Sequence, residues 1–470
     1  MSELDQLIYD VSENGFLGEL NTYVLSEEFD IFKEIIDNLN VDDGKNFRKL
    51  VTELPQESQS YYLNMIKDKN YTEIKKIYNT FTFICQKYIW CCGLEERVQT
   101  LPYTIGLIWY FCGKDRVVRP VSTYDALILN NWKLKDSTQP ISLENLDVVH
   151  VLTGLDDERW FYKIHILIEY VGRNFVNDIL NSEEIFKNKE LTIDFFDKTM
   201  KMIDECSNIL SSIKDKCKPD VFWNIIRIYL SGFEKEQWFP NGIQIENTKI
   251  FLKHKGGSGA SSPLIQAIDL FFGVEHDTKH ASEMVLDMRK YMSFKHRSYL
   301  NNIIKNNCTL VEQMKNIEDP EIIEKYNECL KKLIKFRTLH VVVVHRYIIT
   351  YLDKIDEDKK LGKSSELNKN NPFGNGGSSA LASKEKEPHA LITLLGELVT
   401  DVKEKLIGVN EIDESDEKNN KIDESNEKDN KIDFYHAAMK STSIKINIIM
   451  WTFLVGFFLS VLTEKLIKFI

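Results

Sequence analysis

The segment 320–353 constrains this chain more than any other. Its apolar residues recur at helical spacing over a length that calls for one long helix buried along a broad face. Leu333, Arg337, His340, Val344, Ile348 and Tyr351 fall on that face. A histidine and an arginine one turn apart on a greasy surface need partners. Burying an unpaired guanidinium costs roughly several kcal/mol, so an anion is expected near Arg337. A haem would answer both needs, with iron for the imidazole and a propionate for the arginine. A core histidine held by an ordinary hydrogen bond is the other reading of the same pattern.

Most of the remainder is helical by period. Helices are expected over 28–40, 70–92, 158–182, 191–216, 220–232, 261–275, 279–292 and 389–407. Strands are expected only over 103–111, 116–119 and 242–253. With 470 residues the chain can build two or three domains. The expected fold is mainly α, with a small mixed N-terminal domain over 1–150 and a large all-helical domain over 151–410. An acidic low-complexity linker over 411–440 and a C-terminal membrane anchor over 441–470 complete the expectation.

The formal net charge is −12, and half of it comes from residues 411–433, where ten acids face four lysines. That tract nearly repeats itself (EIDESDEKNNKID, then IDESNEKDNKID) and cannot bury a core, so it reads as a disordered tether. No basic stripe appears, which speaks against a nucleic-acid partner. The eight cysteines form no C-x-x-C pair and no zinc spacing. Met1 to Asp5 is acidic and unlike a signal peptide, so the bulk of the chain reads as cytosol-facing with reduced thiols.

Ile446 to Leu462 is an uncharged apolar run of seventeen residues. As a helix it would span about 25 Å, a little short of a typical hydrocarbon core. Lys445, Lys465 and Lys468 flank it and could snorkel. The expectation is a tail anchor in an intracellular membrane, of the endoplasmic reticulum or the mitochondrial outer membrane. A buried or interfacial helix is the competing reading.

Four further places set polar groups among apolar ones. Phe161, His165, Ile168 and Gly172 share a helical face. Arg227 shares another with Trp223, Ile226 and Leu230, beside Phe222, an arrangement suited to a carboxylate on a flat molecule. Gly256-Gly257-Ser258-Gly259-Ala260-Ser261-Ser262 lets the backbone approach a ligand and offers donors, yet lacks the lysine of a phosphate-binding loop. Gly374-Asn375-Gly376-Gly377-Ser378-Ser379 lies in a long polar loop over 354–388. A satisfied core histidine, an internal ion pair, a surface loop and a linker are the respective plain alternatives.

Taken in order, these pieces resemble the indoleamine 2,3-dioxygenase family of haem proteins over roughly residues 100–408. Leu101-Pro102 with RPVSTYDALILNNWKLKD (119–136), FWNIIRIYLSGF (222–233), GGSGASSPLIQAIDLFFGV (256–274), MRKYMSFKHRSYL (288–300), KFRTLHVVVVHRYI (335–348) and GNGG (374–377) carry the resemblance. It implies haem b as cofactor, with His340 as the axial ligand to iron, Arg337 at a propionate and Asp269 behind it. It implies Arg227 on the substrate carboxylate and Phe161, Phe222, Trp223 and Tyr124 around the indole. Gly257 and Ser258 would line the pocket at the haem edge, and Asn375 would meet the substrate from the GNGG loop. The implied reaction inserts both atoms of O2 across the indole 2,3-bond of L-tryptophan or a related indoleamine, giving N-formylkynurenine, the first step of the kynurenine pathway.

Three departures from the family pattern bear on this. His165 stands where many relatives carry serine, which resembles the tryptophan 2,3-dioxygenases and suggests that it accepts the indole N–H. Asn375 replaces a threonine. Ser293 and Phe294 replace prolines of the signature. Two other readings remain beside the enzyme: a haem protein of the same fold that binds O2 without turnover, and a scaffold that has lost its haem. Arg227 favours the enzyme over the first; His340 with Arg337 argues against the second.

Overall fold

The computed structural model describes residues 9–354, apart from 20–23, 42, 116–117, 275–278, 306–309, 311–313, 315–316 and 353. In chain order its principal elements begin with α1 (Gly44–Thr52), α2 (Tyr71–Trp90), β1 (Thr100–Leu101), α3 (Tyr103–Asp115), β2 (Trp132–Leu134) and β3 (Leu146–Val148). They continue with α4 (Asp156–Val171), α5 (Lys189–Ser211), β4 (Ile243–Ile245) and β5 (Phe251–Leu252). The last are α6 (Pro263–Phe271), α7 (Lys279–Arg289), α8 (Phe294–Lys305) and α9 (Pro320–Val344). The fold is mainly helical, as the sequence predicts.

Helix α2 starts at a capping box, with the Asn70 side chain on the Glu73 amide and the Glu73 side chain on the Asn70 amide. Its second half is buried all round, so it forms the middle of the N-terminal packing rather than a face of it. Even Lys87 is buried there. Its ammonium donates to the carbonyls of Leu39 at 2.8 Å, Val41 at 2.7 Å and Leu152 at 3.1 Å, which satisfies its three protons.

Residues 103–111, expected as a strand, belong to helix α3. This apolar run is buried almost throughout. A run without alternation carries no period that separates strand from helix, and its thirteen-residue length decides for the helix. The expected strand over 242–253 is present as β4 and β5, paired antiparallel, while β1 adds to β4 in parallel. The short antiparallel pair β2–β3 has no counterpart in the sequence reading.

Helices α5 and α9 form the long wall of the helical part. Lys325 pairs with Asp197 at 2.8 Å and Lys332 with Asp204 at 2.5 Å. Each pair lies seven residues after the last on both helices, so the two helices run parallel in register. Solvent-exposed pairs of this kind contribute little energy but report the alignment. Beneath them Phe196 and Tyr326 meet edge to face at 6.2 Å. The buried positions Ile322, Tyr326, Cys329, Leu333 and Phe336 repeat at spacings of four and three. Continued once more, that seam arrives at His340. Asp319 caps α9, accepting from the amides of Glu321 and Ile322, and Pro320 opens its first turn.

Among the described residues three helical segments widen into single π turns: Asp125–Leu129, Phe222–Ile226 and His345–Ile349. Such turns re-aim the side chains around them and concentrate at functional sites. Tyr124 immediately precedes the first, the second contains Phe222 and Trp223, and the third follows His340 by one turn.

The expectation of a membrane-anchored chain is corrected. Among the described residues no helix is long and apolar enough to cross a membrane. The apolar run 446–462, the acidic tract, the predicted helix over 389–407 and the GNGG loop with Asn375 lie outside the described residues.

Candidate functional site

His340 occupies the next seam position after Phe336, but the wall changes there. Val341 to Val344 and His340 itself are only half-buried, whereas the preceding seam residues are fully buried. The ring makes no hydrogen bond among the described residues. Burial, then the Arg337 charge, then His165 oppose its protonation and bring its pKa down to about 4. At neutral pH it is therefore a neutral imidazole with a free lone pair in apolar surroundings.

Arg337 is buried, and its Nη2 donates to the Asp269 carboxylate from α6. The anion demanded by the sequence is therefore supplied from within the protein. Its Nε remains buried without a hydrogen-bond partner, so the guanidinium keeps a donor for a second acceptor. A neutral, unbonded imidazole one turn from a guanidinium with a spare donor, bordered by half-buried valines, fits a haem held by iron and a propionate.

His165 on α4 is fixed differently. Its Nδ1 lies 2.8 Å from the Phe161 carbonyl, one turn back. A carbonyl only accepts, so Nδ1 carries the proton and Nε2 presents its lone pair. Burial lowers the ring's pKa, which keeps this neutral form at physiological pH. The Phe161 ring packs on it at 4.5 Å, and Tyr124 presents its ring nearly perpendicular at 6.3 Å. Phe161 in turn meets Phe222 at 5.0 Å, and Phe222 meets Tyr347 at 5.8 Å. One aromatic chain thus links α4, the π turn at 222–226 and the π turn that follows α9.

Arg227 is fully buried, with its guanidinium carbon 4.2 Å from the centre of the Trp223 ring. Burial lowers its pKa to about 9, which leaves it charged at neutral pH. Trp223 stacks on Tyr351 at 5.2 Å on its way into a cluster with Ile349 and Leu352. Trp223 is therefore a buried support for Arg227, and Phe222 is the residue of this pair that shares the aromatic chain with Phe161.

The glycine-serine loop is drawn in by backbone contacts. The Gly257 amide donates to the Leu230 carbonyl at 3.0 Å. The Ser258 hydroxyl accepts from the Ala260 amide at 3.2 Å and caps the short turn Gly259–Ser261. Gln266 donates to the Ala260 carbonyl at 2.7 Å, and Arg289 donates to Gln266 at 2.6 Å. The loop is thus braced from α6 and α7.

Glu169 is the residue that the sequence reading missed. It lies one turn after His165 on the same face of α4, a spacing that could have revealed it. It is fully buried. Tyr124 donates to its Oε1 at 3.0 Å, and the Ser262 hydroxyl donates to the same oxygen. Burial raises its pKa to about 7 against the lowering effect of those donors. Tyr124, Ser262 and Glu169 thereby tie the first π turn, the glycine-serine loop and α4 together behind His165.

The structure therefore brings Tyr124, Phe161, His165 and Phe222 into one contiguous set, and pairs Arg337 with Asp269 one turn from His340. Arg227 lies on Trp223, the chain neighbour of Phe222, and the glycine-serine loop reaches Glu169 and Tyr124 through Ser262.

Residues 6–389 match the family model described as indoleamine 2,3-dioxygenase. The chain is 26% identical over 308 residues to indoleamine 2,3-dioxygenase 1 of Rattus norvegicus, covering 64% of this chain and 74% of that relative. It is 29% identical over 297 residues to indoleamine 2,3-dioxygenase of Saccharomyces cerevisiae, covering 59% and 65%. It is also 25% identical over 368 residues to a myoglobin of Haliotis diversicolor, covering 77% and 93%.

Proposed function

The chain belongs to the indoleamine 2,3-dioxygenase family of haem-dependent oxidoreductases, and from that premise we propose that it converts L-tryptophan, or a related indoleamine, to an N-formylkynurenine. Both atoms of O2 enter the product as the indole 2,3-bond opens, so no external reductant is consumed in the balanced reaction. The observation that supports the reading is that two histidines on apolar helix faces are both neutral but differently held. Among the described residues His340 is without a hydrogen bond, and His165 is fixed with Nε2 as acceptor.

Haem, when held by His340, supplies the O2 chemistry that amino-acid side chains lack. The rest is positioning. His165 Nε2 accepts the indole N–H and sets the orientation of the ring. Phe161 and Phe222 pack against the indole and keep water away from it. Arg227, charged and clamped on Trp223, receives the substrate carboxylate. Arg337, with Asp269 behind it, offers its spare Nε–H to a propionate. Asn375 and Ser258 complete the proposed substrate contacts, and Gly257 keeps the loop close.

A second reading rests on the myoglobin relative, which the chain matches over most of its length. In it the same pocket would bind O2 and release it unchanged. One experiment separates the two. The purified protein is loaded with haem, reduced, and given L-tryptophan and O2 while the ultraviolet band of N-formylkynurenine is followed. Product that disappears in His340→Ala, together with the Soret band of bound haem, supports the dioxygenase. A stable oxygenated spectrum without product moves the assignment to O2 binding. Haem retained unchanged by His340→Ala removes the proposed axial ligand.

A further inference from the structure

A second cleft, of about 540 Å³, lies where α3, the β4–β5 turn and the α7–α8 region converge. Lys114, Arg119, Lys249, Lys290 and Arg297 line it, together with His254. None of its lining residues is acidic. Asp287, nearby in sequence, pairs with Lys290 at 3.1 Å but is shared with Lys255 at 2.6 Å. One carboxylate thus serves two lysines, and among the residues that line the cleft the basic side chains outnumber the acidic ones. The cations feel one another. After burial, the charge of Arg119 is what holds both His254 and Arg297 below their ordinary pKa ranges. A folded chain that gathers like charges into a concave surface destabilises itself unless an anion offsets them.

Two aromatic residues add a second requirement. Tyr110 lines the cleft, and Phe251 lines it while remaining 49% exposed. An exposed phenyl ring beside a set of cations suits a ligand that is anionic at one end and flat at the other. The volume falls within the range of small-molecule sites.

We propose that this cleft binds a nucleotide polyphosphate, with Arg119, Arg297, Lys249 and Lys290 on the phosphates and Phe251 and Tyr110 against the base. Its lining residues include none of those assigned above to haem or indole, so the inference stands apart from the dioxygenase reading. ATP and inorganic tripolyphosphate are titrated calorimetrically into the full-length, haem-loaded protein at low and moderate salt. ATP binds, more weakly as salt rises, and tripolyphosphate binds about tenfold more weakly or worse for want of stacking. The double variant Arg119→Ala/Lys249→Ala, at two exposed positions, loses ATP affinity by about tenfold or more while its Soret band and Tm stay unchanged. Phe251→Ala weakens ATP and leaves tripolyphosphate as it was. Absence of binding by either probe, or undiminished affinity in the double variant, overturns the site. Equal affinity for the two probes, or indifference of ATP to Phe251→Ala, overturns the assignment to a nucleotide.

Discussion

His165 and His340 are both neutral imidazoles, but among the described residues only His165 is oriented by a hydrogen bond. The bond from His165 to the Phe161 carbonyl selects a tautomer, and with it the nitrogen that can accept. The proposed role follows from that bond and is testable through the substrate. His165→Ala should raise KM for tryptophan by about tenfold, the value of one hydrogen bond in a buried site. It should leave KM for 1-methyl-tryptophan, which has no indole N–H, nearly unchanged. An equal rise for both would mean that the ring acts by packing alone. At this scale the sequence was informative wherever a polar residue interrupted an apolar face, as at His165, Arg227, Arg337 and His340. The helical pattern itself did not give their partners, and Asp269 was named only through the family resemblance. Periodicity does not say that Arg337 meets Asp269, or that Trp223 turns into the core with Tyr351 while Phe222 joins the aromatic chain, because those depend on neighbouring elements.

Elements were legible in proportion to how one-sided they are. Helix α9 buries one seam and was readable along its whole length; α3, buried almost throughout, was not. The π turns were illegible, since a single wide turn leaves the apolar pattern almost unchanged. The glycine-serine loop shows how composition can be right for a different reason. Its small residues suggested close approach to a ligand. In the structure, a Cβ on Gly256 would lie 2.0 Å from the Leu230 carbonyl oxygen, and one on Gly232 would lie 2.2 Å from that of His254. The glycines let two backbone segments touch, which fixes Gly257 under Leu230. A Cβ on Gly259 meets nothing within 4 Å. Gly256→Ala should therefore cost about 2 kcal/mol or more in unfolding experiments, with a lowered Tm. Gly259→Ala should stay within about 0.5 kcal/mol of the parent. Similar losses in both would place the strain in the loop's flexibility rather than in this contact.

For the molecule as a whole, charge is organised in ways that linear sequence hides. The basic cleft draws its cations from positions 114, 119, 249, 290 and 297, so no stripe was visible. The buried titratable groups set the acid response. His150 is buried and its pKa falls to about 4, below the value of about 6.5 in an unfolded chain. Between those values the unfolded chain holds a proton that the folded one does not, so stability is full above about pH 6.5 and is lost as pH falls toward 4. The loss for one such group is at most about 3 kcal/mol. Glu169 works in the opposite direction. Its pKa of about 7 lies above the unfolded carboxyl value, so its contribution is full below about pH 4.5 and is lost as pH rises through 7. In the window they share, from about pH 4.5 to 6.5, the two slopes oppose each other. Glu169→Gln keeps an acceptor for Tyr124 and Ser262 but removes the titration. It should make stability rise more steeply with pH across that window, as read from urea unfolding of the haem-loaded protein at several pH values. A slope unchanged by Glu169→Gln would mean that the carboxyl is already ionised throughout the window. The hydroxyls of Tyr124 and Ser262 would then outweigh its burial, and the groups behind His165 would carry a full negative charge.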